Sequence, residues 1–118
     1  MNDFIINNCS NTLDNNLSNS ILKSSNSYDF HTKQDYYNKT PLVNLDSLSN
    51  HLGLKNIFVK DESNRFGLNS FKVLGSTYAI HEILKKNPNI GVFCTATDGN
   101  HGKGIAWSAK KYNKKAII

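Results

Sequence analysis

An α/β fold is what this chain predicts, and three observations predict it. Short apolar runs of strand length alternate with stretches of helical periodicity. One run, "IGVFCTA", is apolar on both faces, as buried strands of a parallel sheet are. The stretch "TATDGNHGKG", Thr95 to Gly104, stands between a strand and a helix, which is where α/β proteins bind ligands. The expected core is a three-stranded, mainly parallel sheet beginning at about residue 55.

Residues 1–28 are rich in Asn and Ser, which compete for backbone hydrogen bonds and bury little, so a poorly ordered lead-in is expected, with one short amphipathic turn near Leu17, Ile21 and Leu22. Residues 29–118 read as the folded domain. Pro41 sets a turn or extended entry. Asp46 can cap a short helix carrying Leu48, His51 and Leu52, which Gly53 ends. "NIFVKDE", Asn56 to Glu62, is a strand, and "SNRFGLN" is loop. Ser70 caps a long helix whose Leu74, Thr77, Tyr78, Ile80, Ile83 and Leu84 follow helical spacing, stopped by Asn87, Pro88 and Asn89. The second strand is "IGVFCTA"; the next helix takes Ile105, Ala106, Trp107, Ala109 and Tyr112; "KAII" opens the third strand. A parallel strand needs cover on both faces, so either partner surface covers this one or the chain is part of a longer protein.

A length of 118 residues fits one domain. The net charge of +5 comes almost entirely from lysines, and Arg65 is the only arginine. Lys85, Lys86, Lys110, Lys111, Lys114 and Lys115 fall where helices end, which suits the helix dipole better than phosphate binding. Without clustered arginines, a nucleic-acid partner is not expected. Cys9 and Cys94 have no zinc or disulfide spacing. His31, His51 and His81 share no ligand spacing and read as surface or packing residues, so no metal is expected. Tyr36, Tyr37 and Trp107 read as core or docking aromatics. No secretory signal and no membrane-spanning run is visible, and a reducing cytoplasm is the default.

Two stretches carry chemistry. In "TATDGNHGKG" the backbone N–H groups of Gly99, Asn100 and His101 would point into a site at a helix N-terminus, suited to a carboxylate or phosphate. Gly99 and Gly102 would let the backbone come close. The bland alternative is a strand-to-helix turn with Asp98 as N-cap and His101 exposed. In "SFKVLG", Lys72 falls in the first turn of the long helix, at the positive end of its dipole. Either it points to water, or the field disfavours the ammonium and the amine acts as a nucleophile able to form a Schiff base.

Taken together, "KDES…SFK" followed by a strand and "TDGNHG" resembles the fold-type II pyridoxal-phosphate enzymes of the tryptophan synthase β-like superfamily. Dehydratases of that superfamily show Lys-x-Glu, then Ser-x-Lys-x-Arg-Gly, then a Ser/Thr-x-Gly-Asn loop. Here Leu74 stands in place of that arginine, Asp98 occupies the loop's variable position, and Ser76 stands where a second glycine is expected. "KDESNRFGLNSFKVLG" and "TATDGNHGKGIAW" are similar to the diaminopropionate ammonia-lyase family in particular, over residues 36–118.

The resemblance implies an incomplete three-layer α/β/α parallel sheet and pyridoxal 5′-phosphate as cofactor. Lys72 would carry the cofactor covalently and move protons. Asn100 would bond its 3′-oxygen. Thr97 and the backbone of Gly99, Asn100 and His101 would hold the substrate carboxylate, and Asp98 would be the second acid/base group. The implied reaction removes ammonia from 2,3-diaminopropionate, a small amino-acid substrate, in an enzyme that is a homodimer at full length. The family's glycine-rich phosphate loop and pyridine-nitrogen partner would lie beyond the third strand, so this chain is expected to be the family's amino-terminal portion, inactive alone. The competing readings are a serine or threonine dehydratase and a non-catalytic truncated remnant or interaction module.

Overall fold

A computed structural model of the chain describes residues 26–118. The amphipathic turn expected near Leu17 to Leu22 lies outside the described residues, as does most of the lead-in. Its described edge is not irregular: Ser27–Thr32 forms helix α1. Phe30 and His31 explain why. Their rings pack on Tyr78 and His81 and on Phe66, so tertiary contacts hold a helix that local composition does not advertise.

Strand β1, Leu42–Asn44, pairs antiparallel with β2, Phe58–Lys60, with Val43 opposite Val59. Between them α2, Asp46–Leu52, ends at Gly53 in the left-handed conformation, as expected. Asp46 is the first helical residue rather than the cap, and its carboxylate accepts a hydrogen bond from Asn44 Nδ2. A short 3-10 turn follows at Arg65–Gly67, then helix α3, Lys72–Lys86. Ser70 acts one residue early: its Oγ accepts the Lys72 N–H at 3.2 Å.

The second sheet is a βαβ unit. Strand β3, Val92–Cys94, pairs parallel with β4, Lys115–Ile117, and α4, Asn100–Lys111, crosses between them. The expected three-stranded sheet is therefore corrected: the described strands form two separate pairs. β2 takes the nearby extended run after Pro41 as its partner, and pairing partners are a non-local choice that strand periodicity does not encode. Both apolar faces of β3 were expected to be buried, yet Val92 and Cys94 are exposed and α4 lies against the sheet on the other side. Ile117 and Ile118 are also exposed.

The core lies between α3 and α4. Its buried apolar side chains are Val73, Ile80 and Ala109, joined by buried Ser76, Thr77 and Ser108. The expected faces are mostly buried or half-buried, Thr77, Ile80 and Ala109 fully, but Ile83 and Ala106 are exposed and small residues fill the closest contact. Gly104 is the reason. A Cβ there would stand 3.2 Å from Val73 Cα and 2.9 Å from Ser76 Oγ. With the backbones this close, only hydroxyl-sized side chains fit, and these hydrogen-bond each other. Ser108 Oγ lies 2.7 Å from Thr77 Oγ1 and 3.2 Å from Ser76 Oγ, and Thr77 Oγ1 donates to the Val73 carbonyl. Ser76, the departure from the resembled pattern, thus has a partner on α4.

Two predictions follow from this packing. Gly104→Ala gains about 1 kcal/mol of helix propensity but overpacks against backbone, which costs about 1–3 kcal/mol, so a net loss is expected in urea unfolding. Gly75→Ala is the control: no atom lies within 4 Å of its would-be Cβ, and stability should rise by up to about 1 kcal/mol.

His31 supplies the second. Its Nδ1 is buried without a partner among the described residues. Burial, and secondarily the Arg65 charge, holds its pKa below the ordinary 6.5, while the Leu74 backbone works in the opposite direction. The unfolded chain therefore binds the proton first. Stability should be full above pH 6.5 and fall as pH drops from there through the lowered folded-state pKa. His31→Phe should flatten that slope in denaturant titrations across the window.

Candidate active site

The hydrogen bonds across the core set the direction of the helices. Ser108 meets Thr77, and Tyr112 meets His81, both at a sequence separation of 31. A constant separation of rising numbers means that α3 and α4 run parallel. Both N-termini, and both positive dipole ends, therefore lie at one end of the pair. The same separation sets Lys72 level with Lys103, about 4.5 Å of helix rise from Asn100. Side chains tilt toward a helix N-terminus, so Lys72 leans toward the end where α4 begins. The helix starts that carry the two stretches singled out in the sequence therefore lie at the same end of the pair.

Lys72 is exposed, and its Nζ has no hydrogen-bond or ion-pair partner among the described residues. Gly99 is the N-cap of α4, and its carbonyl accepts the Lys103 N–H. The N–H groups of Asn100, His101 and Gly102 precede that first bond and are free to meet an anion. The Gly99 N–H is used differently: it donates to Thr97 Oγ1 at 3.3 Å. Asp98 does not cap α4, and its carboxylate is exposed and unpartnered among the described residues. Asn100 and His101 are exposed at the helix start. Gly102 is needed for packing, because a Cβ would stand 2.8 Å from methyl carbons of both Thr97 and Ile118. Gly99 has open space around it. Thr97, Asp98, Gly99, Lys103 and Ile118 line a cleft of about 350 Å³. A larger cleft, about 440 Å³, lies away from this chemistry, lined by Tyr37, Leu74, Gly75 and Tyr78.

Three contributors were not read from the sequence. Gly104 seats α3; a glycine inside a helical stretch is costly, and that cost was the signal. Arg65 is 4% exposed and anchors the loop before Lys72. Its guanidinium donates to both Glu62 oxygens at 2.7 Å, to the Asn38 carbonyl and to Thr40 Oγ1. The Arg65 hydrogen bonds hold the Glu62 carboxyl below its ordinary pKa. Phe66 adopts φ 54°, a left-handed conformation that costs a non-glycine residue about 1–2 kcal/mol. Its ring stacks on Trp107 at 5.2 Å, and Tyr36 closes both edges at 4.9 and 5.0 Å. Burial pushes the Tyr36 phenol up to about 12. Among the described residues no group of acidic, histidine and cysteine side chains could hold a metal.

Residues 33–118 match the family of pyridoxal-phosphate dependent enzymes. The chain belongs to that family. Lys72 carries the group that the family's aldehyde cofactor requires, a free primary amine, and the unpaired N–H groups in the first turn of α4 suit a second anionic group such as a carboxylate. The diaminopropionate ammonia-lyase of Escherichia coli (strain K12) is 43% identical over 106 residues, covering 75% of this chain and 27% of that protein. The crystal structure of the Escherichia coli enzyme in complex with D-serine superposes with a TM-score of 0.72 at 42% identity, over 78% of this chain and 28% of that one. A biosynthetic L-threonine dehydratase of Staphylococcus epidermidis is 40% identical over 63 residues, 53% of this chain and 14% of its own length. The chain thus spans about a quarter of the length of the ammonia-lyases it matches. The fold is the α/β fold of these fold-type II enzymes.

The buried anchor can be tested by comparison with an exposed one. Glu62→Gln strands the Arg65 charge and should cost about 2–3 kcal/mol, somewhat less than a fully enclosed pair. Glu82→Gln breaks the exposed Glu82–Lys85 pair and should stay within about 0.5 kcal/mol in the same unfolding assay.

Proposed function

We propose that this chain is the amino-terminal portion of a pyridoxal-phosphate dependent carbon–nitrogen lyase that removes one ammonia from 2,3-diaminopropionate by α,β-elimination, after which water hydrolyses the released enamine to pyruvate and a second ammonia. The observation that carries the reading is the parallel helix pair, which brings the unpartnered Lys72 and the open first turn of α4 to one end, with Asp98 at its border. Pyridoxal phosphate, when bound, supplies the electron sink that stabilises a carbanion at the substrate α-carbon. Lys72 would hold it through Nζ and would take or return a proton at that carbon. Asn100 would hydrogen-bond the cofactor ring and fix its orientation. Thr97 and the N–H groups of Asn100 and His101 hold the substrate carboxylate; Gly99 helps by shaping the turn, since its own N–H is engaged by Thr97.

Asp98 is the second acid/base group. A carboxylate beside a carboxylate-binding turn costs about 1–3 kcal/mol of repulsion at 5 Å and intermediate dielectric. A loop that only gripped substrate would gain from a neutral residue. Proton transfer explains the acid: Asp98 serves one stereoisomer and Lys72 the other. Leu74 and Asp98 favour this reading over a serine or threonine dehydratase. The full-length enzyme is read as a cytoplasmic homodimer; among the described residues no helix is long and apolar enough to cross a membrane.

The test uses the protein expressed from its complete coding sequence and measures ammonia release from both isomers of diaminopropionate and from threonine. Diaminopropionate should turn over and threonine should not. Lys72→Ala should abolish the borohydride-trapped pyridoxyl label. Asp98→Asn should cost on the order of 10²–10⁴ in rate for one isomer and far less for the other. Equal losses for both isomers would reduce Asp98 to a structural role, and turnover of threonine alone would replace the reading with a dehydratase.

A further inference from the structure

We infer that Phe66 and Trp107 are positioning residues, a stacked pair that sets the Lys72 turn against the first turn of α4. The inference rests on the reading that these two turns share one site. Phe66 and Gly67 both have positive φ, 54° and 76°, so the backbone reverses at this point before running to Lys72. Glycine or asparagine suits such a conformation best. Nothing in the backbone calls for phenylalanine, so the ring is what this position supplies. It lies on Trp107 with an interplanar angle of 20° and a centroid distance of 5.2 Å.

The placement of that contact matters. Trp107 is one helical turn beyond Gly104, and Gly104 seats the backbone of Val73. The stretch from Phe66 to Val73 is therefore attached to α4 at both ends, by a ring stack and by a backbone contact. Lys72 lies immediately before the second attachment, and the lever between the two is short. Behind the turn, the Arg65 fork on Glu62 fixes its outer side, and the Arg65 guanidinium also stands over the Phe66 ring at 5.6 Å. The Lys111 ammonium sits 5.2 Å from the centroid of the Trp107 ring. Both rings are held in place by groups outside the site, so their contact transmits a fixed spacing to it.

The test uses the 118-residue chain with three substitutions. Phe66→Asn accepts the left-handed backbone without a ring, Trp107→Leu fills volume without a stacking face, and Trp107→Phe keeps the stack. Amide hydrogen exchange is followed at the hydrogen-bonded amides of two site segments, Leu68 and Lys72 in one and Gly99 and Lys103 in the other, with residues 77–84 as the internal reference. Phe66→Asn and Trp107→Leu should speed exchange in both site segments by about tenfold or more and leave the reference within about twofold, while Trp107→Phe behaves as the parent. Reaction with pyridoxal phosphate and borohydride should show the Lys72 share of label, relative to exposed Lys55, falling by about fivefold in the first two variants only. Unchanged exchange at the site segments, or equal acceleration of the reference, would overturn the inference. Local loosening with an unchanged Lys72 share would overturn it too. A parent chain with no preference for Lys72 counts against the cofactor reading alone, and the exchange pattern then decides the positioning role by itself.

Discussion

Because Gly104 carries no side chain, α4 lies against the backbone of α3, and most of what the described residues do depends on that contact. The closeness selects Ser76, Thr77 and Ser108 for the shared face, where each buried hydroxyl finds another hydroxyl or a carbonyl. An unpaired buried hydroxyl would cost about 1–3 kcal/mol, so the network also penalises any sliding of one helix along the other. Register is thereby held by polar contacts within a core whose buried apolar residues are few. A parallel register in turn puts two helix N-termini side by side. Their partial positive charges add at one end of the molecule, and that end is where Lys72 and the free N–H groups of α4 lie.

The segment leading into α3 is secured by a different kind of interaction. Arg65 has exchanged nearly all its water for Glu62, Thr40 and the Asn38 carbonyl. These partners come from both sides of the β1–β2 ribbon, and Lys60 Nζ adds a hydrogen bond to the Thr40 carbonyl. The buried charge therefore ties the ribbon to the loop that carries the chain into Lys72. Much of the ribbon's own apolar surface, including Leu42 and Phe58, is exposed. Hydrophobic burial does not explain why the ribbon sits where it does among the described residues, and the Arg65 fork does.

Element type was legible in the sequence wherever local signals decide it, which excludes α1, held by tertiary ring contacts. Asn87, Pro88 and Asn89 stop α3, Gly53 stops α2, and the strand runs at Phe58, Val92 and Lys115 fall where apolar runs predicted them. The partner of β2 was not legible, since pairing depends on the whole chain. Helix faces were legible at Thr77, Ile80 and Ala109, but Gly104, Ser76 and Ser108 between them were missed for a specific reason. A search for apolar spacing weights leucine and isoleucine, whereas this interface is built from glycine, serine and threonine, whose value lies in close approach. The two chemical stretches were legible as ordered motifs. Arg65 was not, because one arginine in a loop has no periodicity to betray it; its spacing of three from Glu62 was the available clue.

The handover from β3 to α4 also divides labour among adjacent side chains. An acidic residue just before a helix is ordinarily drawn to the free N–H groups as a cap. Here Thr97 bonds the Gly99 N–H, so the turn is closed without Asp98. Had Asp98 capped α4, its carboxylate would have occupied the N–H groups of Asn100 to Gly102, which instead have no partner among the described residues. Gly102 completes the arrangement by admitting the Thr97 methyl against the first turn, which holds the threonine in the orientation its hydrogen bond requires. One threonine thus closes the turn, leaving the N–H groups of the first turn of α4 and the Asp98 carboxylate without partners among the described residues.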